Sequence, residues 1–496
     1  MKTRSLSFPP RLPVLLVLAG ALQAALPARA GELRAGAATA VITPPLGTPM
    51  AGYYHARAAA GTHDELLAKA IVLNEGECTA TLVSLDLITT TQELTAATRQ
   101  AIERATGIPA SHAMISATHS HTGPVLPNRG TRDEALGGRG DPSGDYLSTL
   151  PARIAEAVRD AHAALAPATA QAAIGHEDSI SFNRRFHMRD GTVGWNPGKL
   201  NPDIVKPAGP IDPQLPIVQF GPPGDAPFAI YVNYAVHLDN VGGLEISADM
   251  PATLARLIGE VYGRELVTLY ATGCCGDVNH IDVQWGQRQH GHDNAARMGT
   301  ILAGEVLRTI PRLQPVAAAP LQTLSETVWL PLAPITPDQI ERARVVAERL
   351  EKRTTPPPDF LEQVEAFKVL DVAAREGRPF EVEVQVITLG RDLAWVALPG
   401  EVFVELGLAV KQDSPFRQTM IAELANGSVG YVVPRRAYAQ GAYEVVSTRC
   451  GEGAGELLVD AASRLLRACY LAAGDAPAAA SGASQAAAIS ASRTDS

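Results

Sequence analysis

The chain has 496 residues, 46% of them hydrophobic, and a formal net charge of −10 at pH 7. This length allows a large hydrophobic core and about two or three domains. Such an acidic chain lacks the basic surface that binds nucleic acid or anionic membranes, so we expect neither as a partner.

The first 30 residues have the pattern of a secretory signal peptide. Basic residues come first, residues 12–26 are apolar, and Ala28-Arg29-Ala30 forms a cleavage site. The alternative is a membrane anchor, but the apolar segment is short and Pro13 interrupts it. Without residues 1–30, 38 basic side chains face 52 acidic ones, a net charge of −14. We therefore expect a secreted or periplasmic protein with no transmembrane segment in its mature chain.

Strand-like and helix-like segments alternate along the rest of the chain, and no internal repeat is evident. Predicted strands cover residues 38–42, 67–73, 79–87, 113–117, 169–175, 217–220, 228–234, 266–270, 380–386, 393–398 and 419–424. Predicted helices cover residues 92–106, 145–165, 249–262, 295–309, 336–353, 360–375 and 451–471. Residues 128–143 are expected to form a surface loop and 181–213 an irregular stretch. The interleaving predicts an α/β fold, a single large domain over residues 31–473 with mixed β-sheets flanked by helices.

Residues 336–376 have the features of a helical hairpin inserted between strands. Thr336 and Gln339 form a capping box around Pro337, and Pro-rich residues 354–358 separate the two helices. The hairpin is either a lid over a cleft or a plain surface insertion, and we favour the surface insertion. The Ala/Ser-rich residues 474–496 are expected to be disordered.

Five cysteines occur, an odd number whose spacing matches no zinc knuckle or disulfide framework. Cys274 or Cys275 could pair with Cys450 in an oxidising compartment. Buried free thiols are an equally good interpretation.

The segment Thr118-His119-Ser120-His121 follows the buried strand predicted for residues 113–117. If the strand continues through it, His119 and His121 point to the same face, because side chains alternate along a strand. Two imidazoles on one face suit a zinc site. The alternative is a pair of hydrogen-bonded histidines at a strand end.

Three further candidate ligands, His237, Glu401 and Tyr431, lie near the ends of predicted strands, where binding groups tend to occur. Hydrolytic zinc needs about three protein ligands and one open position. Two histidines and a carboxylate meet that need. Spacing alone cannot bring these residues together.

A set of short motifs, in a specific order, is distributed along residues 33–470. They are Thr43-Pro44-Pro45-Leu46-Gly47, Met50-Ala51-Gly52-Tyr53, Ala117-Thr118-His119-Ser120-His121-Thr122-Gly123-Pro124, Phe182-Asn183-Arg184, Tyr234-Ala235-Val236-His237, Ser247-Ala248-Asp249-Met250-Pro251, Gly276-Asp277-Val278, Leu398-Pro399-Gly400-Glu401, Gly430-Tyr431 and Tyr443-Glu444. With these motifs the chain resembles the neutral (neutral/alkaline, non-lysosomal) ceramidase family.

The resemblance implies a fold, a zinc cofactor and a reaction. Zinc would be held by His119, His237, Glu401 and Tyr431. In the same way His121 would handle protons or orient substrate, Arg184 would bind near the reacting amide, and Tyr443 would stabilise the oxyanion. The implied activity is hydrolysis of the N-acyl linkage of ceramide-like lipids by metal-activated water, in sphingolipid metabolism. Two alternatives remain: a zinc hydrolase of another acyl, ester or glycan-derived substrate, and a non-catalytic metal- or ligand-binding homologue.

Two positions depart from the family pattern. Asn279 stands where the family commonly has a serine, so no serine nucleophile is available there, and a zinc–water mechanism does not need one. The chain also ends soon after these motifs, so we expect a short bacterial-type member that lacks the C-terminal sandwich-like domain of longer members.

Overall fold

Helices and strands alternate along most of the chain. A computed structural model describes residues 32–127, 130–135, 145–263 and 265–475, so the expected signal peptide and nearly all of the expected C-terminal tail lie outside the described residues. The helices are α1 (Gln92–Thr106), α2 (Thr131–Asp133), α3 (Tyr146–Ala163), α4 (Met250–Tyr262), α5 (His292–Thr309), α6 (Pro337–Glu351), α7 (Phe360–Ala374), α8 (Val404–Asp413), α9 (Arg435–Tyr438), α10 (Tyr443–Ser447) and α11 (Ala454–Asp475).

The strands range from two to ten residues. They are β1 (Arg34–Val41), β2 (Gly61–Thr62), β3 (Leu67–Glu75), β4 (Cys78–Leu85), β5 (Ala113–Ala117), β6 (Ala166–Pro167), β7 (Thr169–His176), β8 (Phe182–Asn183), β9 (Arg185–Met188), β10 (Val193–Trp195), β11 (Ile204–Pro207), β12 (Gln214–Gly221), β13 (Ala229–Tyr234), β14 (Glu245–Ile246), β15 (Val267–Thr272), β16 (Val278–Asn279), β17 (Gln314–Pro315), β18 (Leu321–Leu330), β19 (Phe380–Leu389), β20 (Leu393–Ala397), β21 (Glu401–Val402), β22 (Gln418–Ala422) and β23 (Tyr431–Val432).

Three larger sheets form the framework, in the strand orders β5-β4-β3-β1-β6, β15-β13-β12-β7-β17 and β18-β19-β20-β22. All three mix parallel and antiparallel pairs. The parallel pairs are β4–β5, β13–β15 and β20–β22. The fold is therefore the mixed α/β architecture that the sequence predicts.

The three sheets share one hydrophobic core. Along β20, Leu393, Trp395 and Ala397 face this core, which also contains residues of the other two sheets. The residues between them, Ala394 and Val396, face a second core that helices α8 and α11 complete. This alternation follows from the two-residue repeat of a strand. Helices α1 and α3, and α4 and α5, cover the outer faces of the other two sheets in the same way.

The carboxyl ends of the parallel strands meet at one place. The hydroxyl of Thr272, at the end of β15, donates to the carbonyl of Thr118, just after β5, at 2.7 Å. The backbone N–H of Glu423, just after β22, donates to the carbonyl of Thr272 at 3.0 Å. Strand ends from all three sheets are thus joined by hydrogen bonds. Loops that leave the carboxyl ends of parallel strands commonly carry binding groups.

Some expectations were wrong in detail. Residues 181–213 are not simply irregular, because β9, β10 and β11 form a three-stranded sheet there. Strand β18 was missed because polar residues interrupt its apolar alternation. Of the two interpretations left open for the cysteines, the structure has the free thiols, and four of the five are buried.

In the part of the chain that the structure describes, no helix is both long and apolar enough to cross a bilayer.

Candidate metal centre and active site

The two histidines of the Thr118–His121 motif lie in a turn and not in a strand. Strand β5 ends at Ala117, and His119 has a φ of 74°, in the left-handed region. The expected continuation of the strand is therefore wrong. The turn nevertheless brings the two rings together, with Nε2 of His121 3.3 Å from Nε2 of His119.

A third imidazole completes the cluster. His237 follows β13, and its Nε2 lies 2.9 Å from Nε2 of His119. One ring nitrogen from each of His119, His121 and His237 lies within 4.8 Å of the other two, and all three residues are buried. Strands from two different sheets deliver these side chains.

The hydrogen bonds and burial of these rings fit a metal ion. Nδ1 of His119 lies 2.7 Å from the carbonyl oxygen of Ile88, so it carries the proton and Nε2 is left with a lone pair. Oε2 of Glu401 lies 3.6 Å from the same Nε2. Two imidazoles and a carboxylate around one point are a donor set that zinc accepts.

Glu401 and Tyr431 are placed by a short parallel pairing. They are register partners in β21 and β23, and the N–H of Glu401 donates to the carbonyl of Gly430 at 2.9 Å. Gly276 packs against this strand so closely that an added Cβ would lie 2.5 Å from the carbonyl oxygen of Glu401. A side chain at Gly276 would displace the candidate ligand.

Arg184 joins Tyr431 to a buried ion-pair network. Its guanidinium donates to the hydroxyl of Tyr431 at 3.0 Å, to the carbonyl of Gly276 at 2.8 Å and to Oε1 of Glu444 at 2.8 Å. Arg185 donates to the other oxygen of Glu444 at 2.8 Å. The carboxylate of Glu444 is therefore neutralised by two arginines, and Arg184 is rigidly directed towards Tyr431.

Tyr443 lies beside Tyr431 in an aromatic wall. The two rings make an edge contact with centroids 5.5 Å apart. Trp195 and Phe360 pack on Tyr443 at 4.5 and 5.7 Å, and Tyr54 makes an edge contact with Phe360 at 5.2 Å. Phe360 is the first residue of α7, in the inserted hairpin. One side chain of this hairpin therefore adjoins the candidate site.

Burial controls the charge of the site. It lowers the pKa of His121 and of His237, and the neighbouring His119 lowers both further. Burial also raises the pKa of the Tyr431 and Tyr443 hydroxyls. The imidazoles are thereby kept neutral, which is the form that binds metal, and the phenol of Tyr443 stays protonated.

Asn279, where the sequence departs from the family that it resembles, has a buried side chain held by hydrogen bonds. Its amide N–H₂ donates to Oδ1 of Asn196 at 3.1 Å, and its Oδ1 accepts from the N–H of Ile281 at 3.0 Å. Both ends of the side chain are used in structural hydrogen bonds.

The structure brings all seven candidate residues into one region. His119, His121 and His237 form one cluster, and Glu401 adjoins it through His119. Tyr431 is the register partner of Glu401, and Arg184 and Tyr443 both contact Tyr431. The sequence analysis did not identify Trp195, Phe360, Cys275 or Glu423, all of which adjoin this region. Glu444 belongs to the Tyr443-Glu444 motif, but the sequence assigned it no role. No local sequence pattern distinguishes Trp195, Phe360, Cys275 or Glu423.

Comparisons with known proteins define the fold. No protein-family model and no curated protein matches the chain. The structure of neutral ceramidase from Pseudomonas aeruginosa superimposes with a TM-score of 0.70 at 20% identity, covering 88% of this chain and 75% of that one. A structure of ceramidase complexed with C2 gives a TM-score of 0.67 at 20% identity, covering 88% and 76%. The chain therefore has the neutral ceramidase fold, as its motifs predict.

Proposed function

We propose that this chain is a zinc-dependent amidohydrolase that cleaves the N-acyl linkage of ceramide-like lipids. The observation that carries the proposal is the convergence of His119, His237 and Glu401 beside Tyr431, on the fold of neutral ceramidase. These four residues would hold the ion. When bound, zinc supplies Lewis acidity, which lowers the pKa of water and polarises a carbonyl.

The surrounding side chains suit amide hydrolysis. The hydroxyl of Tyr443 is a donor beside the cluster and would stabilise an oxyanion. His121, which is neutral in the resting site and lies 3.3 Å from His119, would accept a proton from the attacking water and pass it to the leaving amine. Arg184 keeps Tyr431 in position through its 3.0 Å hydrogen bond.

The aromatic wall favours a lipid over a glycan-derived substrate. Trp195 and Phe360 pack on Tyr443, whose ring contacts the candidate ligand Tyr431. An acyl chain gains free energy by burying its methylenes against such rings, at about 0.8 kcal/mol per CH₂. A purely metal-binding homologue would need neither this wall nor Arg184. The leader-like residues 1–30 support export, and we propose that the enzyme acts outside the cytoplasm.

The test is release of labelled fatty acid from an N-acylsphingosine by the zinc-reconstituted full-length protein, with a chelator-treated sample as the control. Chelator-sensitive release would support both the metal and the substrate class. Absence of release from a zinc-loaded protein would contradict the ceramide assignment. Esters and other N-acyl substrates would then be compared on the same preparation.

A further inference from the structure

The Nδ1 atoms of the two candidate histidine ligands, His119 and His237, point away from the proposed metal position and have different partners. Nδ1 of His119 faces the backbone carbonyl of Ile88. Nδ1 of His237 faces a side chain, with Sγ of Cys275 at 3.7 Å. Metal-bound histidines usually donate this N–H to a carboxylate, a carbonyl or water, and that partner sets the tautomer and the ring orientation. At His237 a thiol occupies this position.

The thiol is held in turn by a buried carboxyl group. Sγ of Cys275 donates to Oε1 of Glu423 at 2.8 Å, and Oε2 of Glu423 accepts from the N–H of Val402 at 2.8 Å. Cys275 and Glu423 are both 0% exposed. Because the S–H bond points to Glu423, the sulfur lone pairs remain available to accept from Nδ1–H of His237.

The position of Glu423 is costly if packing is its only purpose. A fully buried carboxyl group loses its hydration, which costs several kcal/mol in the ionised form. Its two oxygens contact the thiol under His237 and the residue that follows Glu401. It therefore ties the supports of two candidate metal ligands together.

We infer that Cys275 and Glu423 are positioning residues that keep His237 protonated at Nδ1 and unprotonated at Nε2. The Nε2 lone pair then faces the lone pair of His119 at 2.9 Å, ready for a cation. This inference rests on the proposed metal site and extends it to two residues that would not touch the ion.

The test is the zinc dissociation constant, measured by chelator competition on the folded apo-protein. Cys275→Val fills the space of the thiol with one methyl group more but removes the acceptor, and Cys275→Ala removes both the acceptor and the volume. We expect either variant to bind zinc about 10–100-fold more weakly than wild type. Cys275→Ser, whose hydroxyl can both accept and donate, should recover most of the affinity although it is as small as Ala.

Cys274 provides a matched control. It is the adjacent buried cysteine, but it packs under Gly407 in the apolar core and not against a histidine. Cys274→Ala should keep wild-type zinc affinity. A purely structural role would make Cys275→Ser as weak as Cys275→Ala, and would be visible as an equal loss of thermal stability in both apo-proteins.

Two failures can be told apart. Wild-type protein that binds no zinc overturns the proposed function and this inference with it. Wild-type protein that binds zinc while Cys275→Val binds it equally well overturns the inference alone. If Cys275→Ala does not fold, the comparison of Cys275→Val with Cys275→Ser decides the question.

Discussion

Glu401 and Tyr431 lie side by side as register partners of the parallel pair β21–β23. Backbone hydrogen bonds on both sides of this pair, Glu401 to Gly430 and Phe403 to Val432, fix their separation. The two candidate oxygen ligands are therefore positioned by main chain. Side-chain substitutions here should remove a ligand and leave the backbone in place.

Removal of a candidate ligand should abolish zinc binding and activity together. We expect His237→Ala and Glu401→Ala each to lose bound zinc and to reduce kcat/KM by more than about 100-fold, beyond the effect of losing a supporting residue. Metal content by mass spectrometry and fatty acid release are the measurements. The control is His176→Ala, whose side chain is 63% exposed. Full zinc stoichiometry in both site variants would contradict the assignment of His237 and Glu401 as metal ligands.

Arg184 and Arg185 allow a paired experiment because both bind Glu444. Lysine keeps the charge but not the fork of donors, so Arg184→Lys and Arg185→Lys should lose similar stability, on the order of 1–3 kcal/mol. Only Arg184 donates to Tyr431. Activity should therefore fall at least about tenfold further in Arg184→Lys. Equal activities at equal melting temperatures would contradict this role for Arg184.

Phe360 should contribute to substrate binding through the aromatic wall. Its contacts with Tyr443 and Trp195 are of a type worth about 0.5–1.5 kcal/mol each. We expect Phe360→Ala to lower kcat/KM for long N-acyl chains about 3–10-fold, mainly through KM, and to affect short chains less. Phe367→Ala is the control, since Phe367 lies on the same helix and contacts only Tyr54 among these rings, at 6.3 Å. A uniform loss for all chain lengths would argue against a binding role.

Asn279→Ser introduces the serine that is common in the family that the sequence resembles, and this change should not be required for turnover. The serine loses the 3.1 Å hydrogen bond to Asn196, so stability should drop by about 1 kcal/mol. Activity of wild type and variant on the N-acylsphingosine should agree within about threefold. Turnover by the serine variant alone would restore a role for a serine nucleophile.

Asp277 should make the free energy of unfolding decrease as the pH rises from about 4 to about 6. Burial raises the pKa of this carboxyl to about 6, although it accepts hydrogen bonds from Val404 and Asn183. A raised pKa in the folded state means that the native protein binds the extra proton. The contribution of Asp277 to stability is therefore full below about pH 4 and is lost as the pH rises through about 6.

The measurement for Asp277 is the free energy of unfolding of wild type and Asp277→Asn at pH 5 and pH 7.5. The advantage of wild type over the variant should shrink by on the order of 1 kcal/mol between the two values. An advantage that grows with pH would mean that the folded protein prefers the ionised carboxylate.

Much of the fold follows from local pattern. The helix at Gln92–Thr106 and the capping box at Thr336 match the prediction, because apolar spacing and cap residues act within a few residues of each other. The strands predicted at residues 217–220 and 228–234 are both present, in β12 and β13. Strand β18 and the sheet within residues 181–213 were missed, because their pairing partners rather than their own composition stabilise them.

The sequence by itself determined most of the helices and longer strands and the histidine motif, and its resemblance to the ceramidase family supplied the seven candidate site residues. Only the tertiary structure decided that His119 turns out of its strand, that Phe360 of the inserted hairpin reaches Tyr443, and that Cys275 stands behind His237. The physical reason is the distance along the chain over which each kind of interaction acts. Helix caps and side-chain alternation depend on neighbours in sequence, whereas these contacts depend on how three sheets and a hairpin pack, and packing joins residues that are far apart in the chain.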